Sequence, residues 1–369
     1  MKNTPISRRR FLKSSVATAS LLAVPKIALG SKETTWHDVQ GWGVEGKGWQ
    51  DTKRYFDRLP GKAEGIVRDP VWSLSRHSAG MTAHFITDAT DIHVRYGLLS
   101  DRLAMSHMPA TGVSGLDLYA ENEEGLERWV AVVRPESQVI ETAVAKNLRP
   151  GRRKYTLYLP LYNGVESLEI GVDANASFEP ITPRTEKPIV FYGTSIMHGA
   201  CASRPGMAIP AILGRRFNRP TINLGFSGNG RMESEVGALL AELDPCVFAI
   251  DCLPNMNAEM LTERAAPLVQ QLRAAHPETP ILLVEDRSFT NSPFFPERAA
   301  HHKRSRIAFN EAYNSLLDAG VEHLYYLDGE HLLGLDGEAA TDGSHPNDLG
   351  MMRYADAYEP ALRAILKQY

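Results

Sequence analysis

Just past the middle of this 369-residue chain stands Gly193-Thr194-Ser195-Ile196. The apolar, β-branched run Pro188-Ile189-Val190 before it reads as a buried strand. Met197-His198-Gly199 follows, then a loop through Arg204-Pro205-Gly206 and helix-forming sequence. A serine placed where a buried strand ends suits a nucleophile. The strand fixes the backbone, the glycine permits a tight turn, and unpaired N–H groups can meet an anion. The same four residues also describe an ordinary turn. A nucleophile needs a base, an acid to orient that base, and donors for an oxyanion.

Three more polar clusters offer them. Asn223-Leu224-Gly225-Phe226-Ser227-Gly228-Asn229-Gly230 is a tight turn or a source of a backbone N–H for an oxyanion. It is neither G-x-G-x-x-G nor a P-loop, which disfavours nucleotide binding. Asp251-Cys252-Leu253-Pro254-Asn255 ends in an amide that is a turn residue or an oxyanion donor. Thr341-Asp342-Gly343-Ser344-His345-Pro346 places a carboxylate three residues before an imidazole, a spacing that lets Asp342 hold the His345 tautomer. The same stretch also reads as a helix start, with Asn347 or Asp348 as cap. His301-His302 points in two directions from one helix and reads as a solvated face, not a metal site. Arg204 and Glu233 fall near these clusters and read as loop-holding ion pairs ahead of substrate contacts.

The elements that would position these groups alternate. Strands are expected at 189–192, 221–224, 247–252, 281–285 and 323–327, and helices at 208–217, 233–243, 258–275, 298–319 and 349–367. Strand–helix alternation gives a parallel sheet covered on both faces, a three-layer α/β/α fold, with ligands at the carboxyl ends of its strands. From Trp36 to Glu179 the texture is different: short alternating segments such as Ile92–Tyr96, Arg128–Val133, Lys154–Leu159 and Leu168–Val172, broken by Gly, Pro, Asn and Asp. That pattern predicts an antiparallel β-sandwich. Pro180-Ile181-Thr182-Pro183-Arg184 reads as the linker between the two, giving divisions at 1–30, 31–180 and 181–369.

Residues 1–30 read as an export signal. Ser7-Arg8-Arg9-Arg10-Phe11-Leu12-Lys13 fits the twin-arginine pattern, an apolar segment runs from Val16 to Leu29, and Ala28-Leu29-Gly30 suits cleavage before Ser31. A periplasmic or secreted location is expected. Removing this segment, with its six basic residues and no acid, takes the formal net charge from −4 to −10. So acidic a chain argues against binding nucleic acid or anionic lipid. No apolar run beyond the N-terminus is long enough to span a bilayer. The three cysteines, Cys201, Cys246 and Cys252, cannot all pair, and Cys246 and Cys252, flanking a core strand, read as small buried hydrophobes ahead of a disulfide. No zinc spacing occurs, and no metal or cofactor is expected.

Gly193-Thr194-Ser195-Ile196, Asn223-x-Gly225-x-x-Gly228, Asn255 and Asp342-x-x-His345 stand in the order of the four blocks of the SGNH (GDSL-type) hydrolases, which the second half resembles. Ser114-Gly115-Leu116-Asp117-Leu118-Tyr119 is similar to the Gly-x-Asp-Leu-Tyr motif of the β-sandwich preceding this hydrolase in one group of bacterial esterases. The resemblance implies a flavodoxin-like hydrolase fold with Ser195 as nucleophile, His345 as base and Asp342 orienting it. It also implies an oxyanion hole from the N–H groups of Ser195 and Gly228 and the amide of Asn255. Thr194 departs from the usual Asp before the nucleophile, and Leu253-Pro254-Asn255-Met256 from the usual Gly-x-Asn-Asp. The implied activity is a serine esterase acting on small acyl groups, with O-acetylated carbohydrate as the expected substrate. A lipase, lysophospholipase or thioesterase with the same triad, and a non-catalytic glycan-binding protein, are the alternatives.

Overall fold

The computed structural model describes residues 33–368; the expected export signal lies outside them. The first half carries nine strands: β1 (Thr34–Asp38), β2 (Thr82–Thr87), β3 (Ile92–Leu98), β4 (Asp117–Glu121), β5 (Glu127–Val132), β6 (Val139–Ala145), β7 (Arg153–Tyr158), β8 (Val165–Asp173) and β9 (Phe178–Ile181). They form two antiparallel sheets, ordered β1-β8-β3-β6 and β5-β4-β7-β2-β9. Period-two alternation explains the pairing. Along β3, Ile92, Val94, Tyr96 and Leu98 are buried while the residues between them are half-exposed, and the buried set shares one core with Phe85, Leu118, Tyr155 and Leu157 of the other sheet.

Two expectations need correction here. Pro180 and Ile181 belong to β9 and not to the linker. β9 is an edge strand, where a proline without an N–H is tolerated. Residues 39–81 are not sheet but two short 3₁₀ turns, the helix α1 (Asp69–Ser75) and irregular chain. Their apolar residues Trp49, Leu59, Ala63, Val67 and Val71 are buried against the second half, so no strand alternation is required of them. A further short helix, α2 (Ala110–Val113), leads into β4.

The second half alternates as expected: β10 (Ile189–Gly193), α3 (Ser195–His198), α4 (Ile209–Phe217), β11 (Thr221–Gly225), α5 (Ser234–Leu240), β12 (Val247–Asp251), α6 (Ala258–Ala275), β13 (Ile281–Val284), α7 (Pro296–Asp318), β14 (Leu324–Leu327) and α8 (Asp348–Leu366). The strands form one parallel sheet, ordered β11-β10-β12-β13-β14, with the order reversing beside β10. Val190, Tyr192, Phe248 and Ile250 face α5, α6 and α7, whereas Ile189, Phe191, Val247 and Ala249 face α3, α4 and α8. These are the three layers. From Thr34 onward the chain is one compact unit, and the first half completes both faces. Trp49–Val71 joins the α5–α7 side, and Met108, Val113, Leu161 and Tyr162 join the α3/α4/α8 side.

Candidate active site

β10 delivers Gly193 to the carboxyl edge of the sheet, and Thr194 caps α3 by accepting the N–H of Ile196 at 3.3 Å. Ser195 is therefore the first residue of a helix, a position whose N–H has no partner within the helix. The turn is held close to its neighbours. A Cβ on Gly230 would lie 2.0 Å from the Gly193 carbonyl oxygen, so only glycine lets the β11 loop pass there.

Ser195 and His345 meet across 150 positions of sequence, Oγ to Nε2, at 2.9 Å. On the other side of the ring, Nδ1 donates to Asp342 Oδ2 at 2.7 Å. Asp342 Oδ1 accepts the N–H of His345 at 2.8 Å and of Ser344 at 3.0 Å. Partial burial opposes ionisation of Asp342, but these N–H groups and the imidazole outweigh it and hold the carboxyl at about 2. Asp342 is thus a fixed negative charge that sets the tautomer, with Nδ1 protonated and Nε2 free to accept. The helix-start reading also holds: Asn347 caps α8 by accepting the N–H of Gly350 at 3.0 Å.

Ser195, Gly228, Asn255 and His345 line one cavity of about 360 Å³, with Ile196, Ser227, Pro254, Arg287 and Ser344. Gly228 has φ +70°, which turns the loop after β11. Its N–H and that of Ser195 meet no protein acceptor among the described residues. The Asn255 side chain is satisfied with its amide oxygen facing the N–H groups of Asn229 (3.0 Å) and Gly230 (3.2 Å), which leaves the NH₂ as a donor. All five residues singled out in the sequence are thereby brought together.

Three features escaped the sequence reading. Arg287 follows β13 and is 2% exposed; its Nε donates to the Ser344 carbonyl at 3.1 Å, and its guanidinium also meets Ser344 Oγ and Asp286. It ties the His345 loop to the sheet. Its signal was positional: Glu285-Asp286-Arg287 stands at the carboxyl end of a core strand, where ligands gather. Secondly, His302 does not lie on a solvated face. It is 3% exposed, 3.0 Å from Asp286, and accepts the N–H of Phe289 at 3.2 Å, because that face of α7 packs over the end of β13. Burial of Asp286 opposes its charge, yet Arg287 and His302 hold its carboxyl below the usual range.

The third is Arg58, 2% exposed and paired with no carboxylate among the described residues. It donates to the carbonyls of Asn223 (3.0 Å), Gly225 (2.8 Å), His77 (3.0 Å) and Leu74 (2.7 Å). Burial brings its guanidinium down to about 9. Four carbonyls in place of one acid mean that this side chain braces the end of β11, the strand that presents Gly228.

Arg204 and Glu233 are indeed in ion pairs, with Asp117 at 2.9 Å and with Arg68. Asp117 also accepts the N–H of Gly206 at 2.8 Å and the Trp129 indole N–H at 2.9 Å. The Gly-x-Asp-Leu-Tyr segment therefore clasps the loop 203–206, and Thr111 Oγ1 adds a bond to the Ser203 carbonyl at 2.6 Å. Ser203 in turn donates through its N–H to Asp348 at 2.9 Å, three residues beyond His345.

The three cysteines are free. Among the described residues no helix is long and apolar enough to cross a membrane.

The GDSL-like lipase/acylhydrolase family pattern matches residues 186–363, and that of the N-terminus of SGNH-hydrolase-type esterases matches residues 34–178. No curated protein matches the chain. A crystal structure from Bacteroides ovatus described as a GDSL-like lipase is 35% identical, covers 91% of this chain and 98% of its own, and superposes with a TM-score of 0.87. The salicylyl-acyltransferase SsfX3 from a tetracycline biosynthetic pathway (19% identity, 90% and 94% coverage, TM-score 0.67) shares the fold. So does a family two carbohydrate esterase from Cellvibrio japonicus (10% identity, 91% and 98% coverage, TM-score 0.60). The chain belongs to the GDSL-like lipase/acylhydrolase family, with the N-terminal domain of the SGNH-type esterases.

Proposed function

We propose that this chain is an exported serine esterase that removes small acyl groups, O-acetyl above all, from carbohydrate. The observation that carries the reading is the unbroken chain Ser195–His345–Asp342, at 2.9 and 2.7 Å, opening into the cavity that Gly228 and Asn255 line. His345 takes the proton of Ser195 as Oγ attacks the ester carbonyl. The oxyanion meets the N–H groups of Ser195 and Gly228 and the Asn255 amide, each such donor lowering the barrier by about 3 kcal/mol. His345 returns the proton to the departing alcohol, and the acyl-enzyme is then hydrolysed by water that His345 activates. Arg287, Ser227 and Ser344 make the cavity polar, which favours an acetyl group over a long acyl chain and so an acetylesterase over a lipase. The twin-arginine segment supports export.

Ser195→Ala should keep its fold and lose acetyl-ester turnover by at least about a thousandfold. Turnover within tenfold of the wild type would refute the assignment. Acetate release from a panel of acetylated polysaccharides tests the substrate class.

A further inference from the structure

In the proposed mechanism the proton that His345 Nε2 takes from Ser195 goes to the leaving oxygen, so that oxygen must come within hydrogen-bond reach of Nε2. The acyl carbonyl points the other way, toward Gly228 and Asn255. An exposed side chain beside His345 is therefore placed to meet the alcohol half of the ester. His107 flanks His345, the two ring centres 6.0 Å apart. His107 is exposed, and its imidazole makes no hydrogen bond to protein among the described residues.

His107 comes from the sandwich half and is held in place. Met105 and Met108 exchange backbone hydrogen bonds of 3.0 and 3.2 Å, which leaves Ser106 and His107 as the two residues at a hairpin tip. Met108, next in the chain, is 2% exposed and packs in one core with Ile196 and Met197 of the nucleophile helix. A tip anchored in that core is held in place beside His345.

We propose that His107 is a substrate-contacting residue forming an alcohol-side subsite, and that the leaving group it takes is a hydroxyl-bearing sugar ring. A neutral imidazole offers one donor and one acceptor, and a sugar hydroxyl answers both. This rests on the esterase reading above. The sandwich half thereby supplies part of the specificity for the alcohol.

The test compares kcat/KM of the wild type and His107→Ala on two acetyl esters. One is 4-nitrophenyl acetate, whose leaving group carries no hydroxyl; the other is a partly O-acetylated monosaccharide with free hydroxyls. Losing one such hydrogen bond should lower kcat/KM for the sugar ester about tenfold, chiefly through KM, and at least about fivefold more than for the aryl ester. His107→Asn, which keeps a donor and an acceptor, should recover part of that loss. Equal losses on both esters, no loss on the sugar ester, or a wild type that cleaves only the aryl ester would each overturn the subsite. A wild type that cleaves neither ester overturns the esterase reading itself, and the subsite with it.

Discussion

Asp342 draws two N–H groups and an imidazole from within its own four-residue turn, so its charge needs nothing from distant chain. Its folded value of about 2 lies below that of a free carboxyl. The charge that orients His345 is therefore retained well into acid and is lost only as pH falls toward that value. Asp342→Asn should lower kcat by about 10³ to 10⁴ by favouring the wrong tautomer, read from initial rates on an aryl acetate; a fall below tenfold would exclude the orienting role. Arg287 does the complementary job from outside the turn, so Arg287→Met should lower kcat while leaving the far-UV spectrum unchanged. Ser195, Asp342 and His345 could be singled out in the sequence because Gly or Pro stands near them, Ser195 at the end of a strand and Asp342 and His345 just before the last helix. Arg287, His107 and Arg58 were not. His107 and Arg58 look like any polar residue, and Arg287 shows only its place after a core strand, until the fold sets each beside a partner 57 or more positions away.

Among the elements, β12 ends in Asp251, fully buried, with Tyr358 donating to Oδ2 at 2.7 Å and Oδ1 without a hydrogen-bond partner among the described residues. Burial raises its carboxyl to about 7. A carboxyl raised in the folded state favours folding while protonated and penalises it as pH rises from the unfolded value through 7. Asp251→Asn keeps an acceptor for Tyr358 and removes the ionisation. It should raise Tm by a few degrees at pH 8 and by about nothing at pH 4, as followed by thermal melts. Glu45 has the opposite sign. Burial opposes its charge, but Arg184 (2.8 and 2.6 Å) and His84 pull its carboxyl down to about 2. Its contribution, on the order of 3 kcal/mol, is present above about pH 4.5 and is lost as pH falls toward 2. Glu45→Gln should therefore cost that much in urea denaturation at pH 7 and little at pH 2.5. The second-half strands and helices were legible to within a few residues because buried strands and amphipathic helices repeat with different periods. Residues 39–81 were misread because Trp49, Leu59, Ala63, Val67 and Val71 answer to the core of the parallel sheet and follow no strand period.

At the scale of the molecule, the first half fills both faces of the parallel sheet and clasps the loop 203–206 that leads to α4. Residues 186–369 expressed alone should expose those faces and fail to give a cooperative thermal transition; a sharp transition with full aryl-acetate activity would refute this dependence. Arg58→Met, which orphans four carbonyls at once, should cost several kcal/mol in the whole chain. Arg58 also bears on how the chain is made. It leaves the ribosome 165 residues before Asn223, whose carbonyl it will hold. Its guanidinium, with Trp49 and Val71 nearby in sequence, must wait in water until β11 arrives. Closing so long a loop is a late step. The groups proposed to stabilise the oxyanion would then be among the last parts of the molecule to become ordered, and activity should lag behind compaction when the denatured chain refolds.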